Sequence, residues 1–250
     1  GFHVYEALRQ CQDLLEDYRA LRAAQRSIRG KGFKGAVGTG AAYAELIGAA
    51  SLDDFETRLS RILGLEFFPV TGQTYPRKQE YSLLYTLAGL GASLYKFAFD
   101  LRLLQSPPVG EWSEPFTTGQ VGSSAMPFKR NPIGAEKINS LARALSTMPQ
   151  VAWANAAHSL LERTLDDSGN RLALLPEAFL IADELLITAR RILRGLQIDR
   201  AAVQRNLQAY APFASTERIL MALVQAGADR QEMHEILRRH ALVAWQAVQA

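Results

Sequence analysis

The sequence has 250 residues, of which 48% are hydrophobic and 21% are charged, a composition that is typical of a globular protein and excludes a disordered or disulfide-rich chain. Its net charge is +3 and the charges are interspersed, so the balance does not indicate nucleic-acid binding and favours a small anionic ligand. With one cysteine and no apolar run of about twenty residues, the sequence predicts no internal disulfide and no membrane-spanning segment, which fits a cytoplasmic protein.

The first predicted element is a long helix over residues 4–29, packed nearly parallel to other helices. Its apolar or small side chains recur at alternating spacings of four and three residues, which is a heptad stripe. Cys11 belongs to this stripe, so we expect a buried thiol. The helix begins without a capping signal, so we expect the sequence to be a piece of a longer protein. The stripe consists of Ala7, Cys11, Leu14, Tyr18, Leu21, Gln25 and Ile28.

A glycine-rich stretch follows at residues 30–40. Residues 30–35 match the letters of a dinucleotide-binding fingerprint, but that motif requires a strand before it, and here a helix precedes it. We therefore interpret the stretch as a tight glycine-rich turn that needs no cofactor. Short helices are predicted at 41–49 and 52–64, the second with Ser51 as its N-cap and Gly64 as its end.

Two further helices, at 78–105 and 172–193, repeat the heptad spacing, and a fourth is predicted at 132–160. Long helices with apolar stripes predict an up-and-down bundle. Beyond Gly195 the pattern changes to shorter amphipathic helices at 199–207, 215–226 and 230–247. The predicted fold is therefore all-α, with a long helical bundle domain over residues 1–196 and the start of a smaller helical domain over 197–250.

Residues 119–139 are the one stretch whose residue choice indicates chemistry rather than packing. Glycines and prolines predict a loop, and Asn131 and Pro132 predict a helix start, with Asn131 as N-cap and Pro132 at the first helical position. Ser123 and Ser124 offer hydroxyl groups, and Lys129 lies where the loop meets a helix terminus that favours anions. Such a loop could hold an anionic substrate beside an oxygen base.

Residues 122–132, Gly-Ser-Ser-Ala-Met-Pro-Phe-Lys-Arg-Asn-Pro, resemble the signature loop of the fumarase/aspartase superfamily, whose members eliminate fumarate from substituted succinates. The resemblance implies that Ser123 is the catalytic base and that Lys129 and Asn131 hold a substrate carboxylate. It also implies that Ser124 and Met126 contact the substrate. No metal is implied.

Other stretches resemble the adenylosuccinate lyase family of that superfamily, namely residues 72–78, 113–116, 162–168 and 212–232. This resemblance implies cleavage of adenylosuccinate to AMP and fumarate, and of the succinylated aminoimidazole carboxamide ribotide to its carboxamide and fumarate, in purine nucleotide biosynthesis. It implies that Gln73, Arg163 and Ser168 contact the nucleotide.

Two positions depart from the family pattern. Lys137, which the resemblance implies as a substrate contact, stands where an arginine is frequent; lysine keeps the charge and loses the bidentate fork. Leu172 stands at another frequent arginine position and removes a phosphate donor, unless the adjacent Arg171 replaces it. The family's general-acid histidine lies upstream of the matching region, so we expect residues 1–250 alone to be inactive.

Alternative interpretations are another fumarate-forming lyase, a carboxymuconate-type cycloisomerase and a non-catalytic oligomerisation module of the same fold. The apolar stripes predict self-association, and the resemblance implies a homotetramer whose active sites are shared among subunits. Long helices separate the stretches around Gln73, Ser123 and Arg163, so we expect one chain to hold the three apart.

Overall fold

The computed structural model describes residues 2–116, 130–161 and 163–249, without the side chains of residues 2–8 and 249. The predicted site residues Ser123, Ser124, Met126 and Lys129 lie outside this part. The described elements are all helical apart from two strands of two residues each, which confirms the all-α fold class. Its elements are α1 (Phe2–Ser27), α2 (Ala41–Ile47), a 3₁₀ turn (Ala49–Ser51), α3 (Leu52–Leu63), α4 (Lys78–Leu104), β1 (Trp112–Ser113), α5 (Ile133–Ala157), α6 (Asp166–Gly195), β2 (Gln197–Ile198), α7 (Arg200–Ala214), α8 (Thr216–Gln225) and α9 (Arg230–Gln249).

The chain groups into two compact units, residues 1–102 with 114–196 and residues 103–113 with 197–250. In the second unit β1 pairs antiparallel with β2, and the backbone N–H of Asp199 donates to the carbonyl oxygen of Glu111 at 2.9 Å. These bonds join the segment after α4 to the chain after α6. The domain bounds drawn from the sequence stay a prediction.

The core of the first unit lies between α4, α5 and α6. Helix α4 packs closely against α5 at Gly91, where a Cβ atom would lie 3.3 Å from Cδ2 of Leu145. Asn139 of α5 donates to the carbonyl oxygen of Tyr95 at 2.9 Å and accepts from Arg102 at 3.1 Å, which links α5 to α4. The largest fully buried apolar side chains of this core are Leu84, Leu101, Ile138, Leu145, Leu185 and Ile192.

Helices α5 and α6 form an antiparallel hairpin. Near its closed end the side-chain amides of Asn155 and Asn170 exchange hydrogen bonds of 2.7 and 2.9 Å. Near its open end a Cβ atom at Gly134 would lie 3.1 Å from Ile192. With 25 residues, α5 separates these two ends by about 37 Å at 1.5 Å per residue.

The prediction that Cys11 is buried is wrong, because the Cys11 side chain is exposed in the chain. Tyr18, in the same stripe, is 60% exposed. The face of α1 that turns inward is rotated by about one residue, as shown by the 2.8 Å hydrogen bond from Gln10 to Asp100 of α4. The half-buried residues of α1 on this face are Gln10, Leu14, Asp17, Leu21 and Ala24.

Several predicted helix ends also need correction. Helix α5 begins at Ile133 with Pro132 in the capping position, so Asn131 is not its N-cap. Helix α6 begins at Asp166, six residues before the predicted start, because first-turn carboxylates favour a helix N-terminus and the polar stretch is therefore helical. The Ser51 side chain makes no capping bond, whereas Gly64 ends α3 as predicted. Helix α7 continues to Ala214, past the predicted end at residue 207.

Candidate active site

The first group of polar residues, which includes the predicted substrate contact Asn131, surrounds the start of α5. Glu114 lies 20 residues before Gly134, and its carboxylate accepts hydrogen bonds of 3.0 Å from the backbone N–H groups of Gly134 and Ala135. Glu114 is only 6% exposed. A Cβ atom at Gly134 would lie 2.8 Å from the Glu114 carboxylate, so this close approach requires glycine. A buried carboxylate from a distant segment therefore takes the capping role predicted for Asn131.

The segments on either side of residues 117–129 are fastened next to each other. The guanidinium carbon of Arg130 lies 5.2 Å from the ring centre of Phe116, within the range of a cation–π contact. Pro115 packs against Gly195 at the end of α6, where a Cβ atom would lie only 2.6 Å from the proline ring. Together with Glu114 these contacts define the Asn131 cluster: Glu114, Pro115, Phe116, Arg130, Asn131 and Gly134.

Glu114 changes the expected electrostatics of the loop. An uncapped helix start carries a partial positive charge that favours anions. At α5 two of the N–H groups already bind the Glu114 carboxylate, which compensates that charge. Those two N–H groups are therefore not available to a substrate anion in this arrangement. Attraction of the substrate by this helix start stays a prediction.

The second group forms a buried ionic cluster at the start of α6. Arg77 donates to Asp167 at 2.6 Å, and its Nη1 lies 3.4 Å from the Glu80 carboxylate. Arg171 donates through Nε to both Glu80 oxygens at 2.9 and 2.8 Å. The Tyr75 hydroxyl donates to Glu80 at 2.5 Å and accepts from Arg171 at 3.0 Å. We call Tyr75, Arg77, Glu80, Asp167 and Arg171 the arginine cluster.

Two groups of the arginine cluster have shifted proton affinities. Burial raises the pKa of Tyr75 above its ordinary value, and the hydrogen bond to the Glu80 carboxylate raises it further. The hydrogen bond to Glu80 likewise raises the pKa of Arg171. Two carboxylates balance the two guanidinium groups, so the cluster is internally neutral and offers no surplus charge to a ligand.

Arg163 adds a surplus cation next to this neutral cluster. Its Nη2 donates to the Ser168 hydroxyl at 3.1 Å. Its Nε is buried and has no hydrogen-bond partner among the described residues. Gln73 is exposed two residues before Tyr75 of the same cluster. The predicted nucleotide contacts Gln73, Arg163 and Ser168 are thus gathered at one end of the bundle.

The two departures from the family pattern have different structural settings. Leu172 is 81% exposed, and the adjacent Arg171 is engaged by Glu80 and Tyr75 as described. Lys137 lies on α5, and its amine binds Glu184 of α6 at 2.6 Å. This bond lowers the pKa of the Glu184 carboxyl. The role of Arg171 as a substrate contact stays a prediction. In that role Arg171 would have to bind the substrate while it is also bound to Glu80.

The two clusters lie at opposite ends of the α5–α6 hairpin. The Asn131 cluster adjoins the start of α5, and the arginine cluster adjoins the start of α6, about 37 Å away along the 25 residues of α5. The expectation that one chain keeps the Gln73 and Arg163 stretches apart is wrong, because Arg77 binds Asp167. Asn131, however, is remote from both stretches within one chain.

Comparison with known proteins places this geometry in a family. A family profile described as Lyase matches residues 7–145, and a profile described as Adenylosuccinate lyase C-terminus matches residues 212–250. The chain belongs to the lyase family that includes the adenylosuccinate lyases. The matched range includes residues 122–132, whose sequence resembles the signature loop.

Relatives in this family are named adenylosuccinate lyase. That of Schizosaccharomyces pombe is 41% identical over 230 residues, covering 91% of this chain and 47% of the relative. That of Schistosoma mansoni is 43% identical over 236 residues, covering 92% of this chain and 48% of the relative. The chain therefore spans about half the length of the curated relatives it matches.

Solved structures show the same fold. A fumarate lyase from Mesorhizobium sp. BNC1 superposes with a TM-score of 0.80 at 23% identity, covering 97% of this chain and 52% of that chain. A 3-carboxy-cis,cis-muconate lactonizing enzyme from Pseudomonas putida superposes with a TM-score of 0.75 at 24% identity, covering 94% of this chain and 51% of that chain. At these identities the likeness concerns the fold alone.

Sequence reasoning did not identify four polar residues that organise the two clusters: Tyr75, Glu80, Glu114 and Asp167. Each stands within or next to a stretch that resembles the family, so proximity to those motifs was the available signal. The sequence does not indicate that the Glu80 and Asp167 side chains are buried, because a carboxylate in the first turn of a helix is ordinarily solvated. In the described part of the chain no group of three His, Cys, Asp or Glu side chains is arranged to hold a metal ion, and no helix is long and apolar enough to cross a bilayer.

Proposed function

We propose that the protein to which this chain belongs cleaves adenylosuccinate to AMP and fumarate, and the succinylated aminoimidazole carboxamide ribotide to its carboxamide and fumarate. The relatives named adenylosuccinate lyase support this substrate class. The observation that carries the proposal is the hydrogen bond between two predicted nucleotide contacts, Arg163 and Ser168, beside the charge-balanced arginine cluster. The sequence of residues 122–132 adds the predicted elimination residues.

The elimination end supplies the base and the anion-binding groups. Ser123 removes the proton beside a substrate carboxylate, and the charge that develops on that carboxylate must be stabilised by fixed donors, which typically contribute several kcal/mol. Lys129 and Asn131 are those donors. The need for side-chain donors is greater here because Glu114 already binds two N–H groups of α5.

The nucleotide end supplies a cation for the phosphate. Arg163 is the surplus charge, since the arginine cluster beside it balances its own charges. An anionic group that bound there would supply an acceptor for its Nε, which has no hydrogen-bond partner in the described part of the chain. Gln73 and Ser168 contribute neutral hydrogen-bonding groups for the rest of the nucleotide.

We further propose that the active sites are shared in a homotetramer that acts in the cytoplasm. One chain holds its two half-sites about 37 Å apart along α5, which is too far for a single nucleotide substrate to bridge. The bundle also exposes apolar side chains that association would cover. Among them, Tyr85 of α4 and Leu180 of α6 are each 65% exposed.

The test uses the full-length protein, with fumarate release followed by its ultraviolet absorbance. Release from adenylosuccinate but not from argininosuccinate is the expected result. Release from argininosuccinate alone would instead indicate another lyase of the superfamily, and turnover of neither substrate would contradict the proposed reaction. Light scattering at micromolar concentration should report four times the subunit mass, and a monomer would contradict the shared site.

A further inference from the structure

We propose that Glu114 is a positioning residue for the elimination reaction, which holds Asn131 in place through the first turn of α5. The inference rests on the proposed function, because it assigns Glu114 a role in the same site. Glu114 does not touch the substrate in this proposal. It acts through the backbone of α5, to which Asn131 is directly joined.

Glu114 and the first turn of α5 are in close, buried contact. Its carboxylate is buried, and burial of a charge is costly unless fixed donors compensate it. The N–H groups of Gly134 and Ala135 are those donors, at 3.0 Å each. The carboxylate occupies the space that a Cβ atom at residue 134 would need. The position of this turn is therefore fixed in relation to residue 114.

Asn131 is tied to the same turn by its backbone. The N–H of Ile133 donates to the carbonyl oxygen of Asn131 at 2.9 Å, and the N–H of Glu136 donates to that of Pro132 at 2.9 Å. A displacement of the turn would move Asn131 with it. The segment that carries Glu114 cannot easily shift in response, because Pro115 is seated on Gly195.

Stabilisation of a helix end alone does not require this arrangement. Asp199 caps α7 with the same chemistry, accepting from the N–H groups of Ala201 and Ala202 at 2.9 and 3.0 Å, and it does so from the adjacent residue while remaining exposed. A local cap of this kind is sufficient for stability. The distant, buried cap at α5 additionally fixes where Asn131 stands.

The test compares Glu114→Ala, Glu114→Gln and the matched control Asp199→Ala in the full-length protein. Each variant is assayed for fumarate release at a temperature where circular dichroism shows it fully folded. We expect Glu114→Ala to lower kcat about 10- to 100-fold, since small misplacements of reacting groups cost factors of that size. KM should change much less, Glu114→Gln should be intermediate because its amide oxygen still accepts, and Asp199→Ala should keep its kcat.

A second measurement needs no activity. Amide hydrogen exchange of residues 133–136, which include the Gly134 and Ala135 N–H groups, should be faster in Glu114→Ala than in the unmodified protein, and unchanged in Asp199→Ala. If kcat is normal in both Glu114 variants, or if exchange at this turn is unaffected, Glu114 does not position Asn131 and the inference is overturned. If the unmodified protein releases no fumarate, the proposed function fails, and the exchange result still decides whether Glu114 holds this turn. Should Glu114→Ala not fold, Glu114→Gln carries both measurements.

Discussion

Three buried carboxylates, Glu80, Glu114 and Asp167, organise the polar parts of the bundle. Each is offset by donors within hydrogen-bond distance: guanidinium groups for Glu80 and Asp167, and backbone N–H groups for Glu114. Removing one partner of such a contact leaves an uncompensated buried charge, which costs far more than loss of a surface pair. The carboxylates therefore favour a single arrangement of the loops they bind.

Tyr75 should make the stability of the bundle sensitive to alkaline pH. Its pKa is raised above the ordinary 10.0 by burial and by Glu80, so the folded chain holds this proton more tightly than the unfolded chain. The resulting stability is fully present below pH 10 and is lost as the pH rises through the folded-state pKa. Urea unfolding below and above pH 10 should show a smaller loss for Tyr75→Phe than for the unmodified protein. Tyr85→Phe, at an exposed tyrosine of α4, is the control, and an equal effect in both variants would contradict the prediction.

Ser123→Ala in the full-length protein should lower kcat about 100- to 10,000-fold, the usual contribution of a general base. KM should change little, because the substitution removes the proton acceptor and no binding charge. Steady-state assays of fumarate release measure both constants. Ser124→Ala is the neighbouring control, and a larger loss in that variant would assign the base to Ser124.

At the scale of elements, Asn139 joins α4 to α5 through two side-chain hydrogen bonds. Asn139→Ala should lower the free energy of unfolding by about 1–3 kcal/mol, because Asn139 is buried and the substitution removes its bonds to both Tyr95 and Arg102. Asn155→Ala is the control, since its amide pair with Asn170 is exposed. Chemical denaturation measures the two free energies of unfolding. Equal losses in both variants would show that the bonds between α4 and α5 stabilise the bundle no more than an exposed amide pair does.

The heptad spacing predicted the long helices well, because apolar periodicity reports which residues can share a face. It did not predict the inward face of α1, since a rotation of the stripe by one residue is resolved only by the neighbouring helix. It also missed the early start of α6, because polar residues such as Asp166 and Asp167 are common both in turns and in first helical turns.

The order of residues 122–132 carries chemistry and allowed a prediction of site residues, most of which lie outside the described part of the chain and stay predictions. The rest of the candidate site was much less predictable. Glu114 illustrates the limit. Its role depends on a contact across 20 residues of sequence, and no local pattern distinguishes a carboxylate that reaches back to a helix from one that faces solvent. The arginine cluster likewise depends on the packing of α6 against the segment before α4.

For the whole molecule, the proposed sharing of active sites between subunits leads to a test by mixing of variants. Ser123→Ala and Arg163→Met should each be inactive, but co-expression should restore activity at about one quarter of the sites. The reason is that the two segments of a shared site come from different subunits, so each is intact in half of the cases. Fumarate release by the co-purified mixed protein measures the gain.

The control pair for this test is Ser123→Ala with Asn131→Ala. Both changes lie in the same segment of one chain, so no mixed assembly contains a site with both residues intact. Recovery in this pair, or none in the first pair, would show that the half-sites are not combined between subunits.

Labelling of Cys11 can report whether association covers α1. It is the one cysteine in the 250 residues, and its side chain is exposed on α1. If association covers the exposed face of α1 that carries Cys11, the rate of maleimide labelling should fall as protein concentration rises through the assembly range, and it should recover on dilution. A rate that does not change with concentration would mean that this face of α1 stays outside every subunit contact.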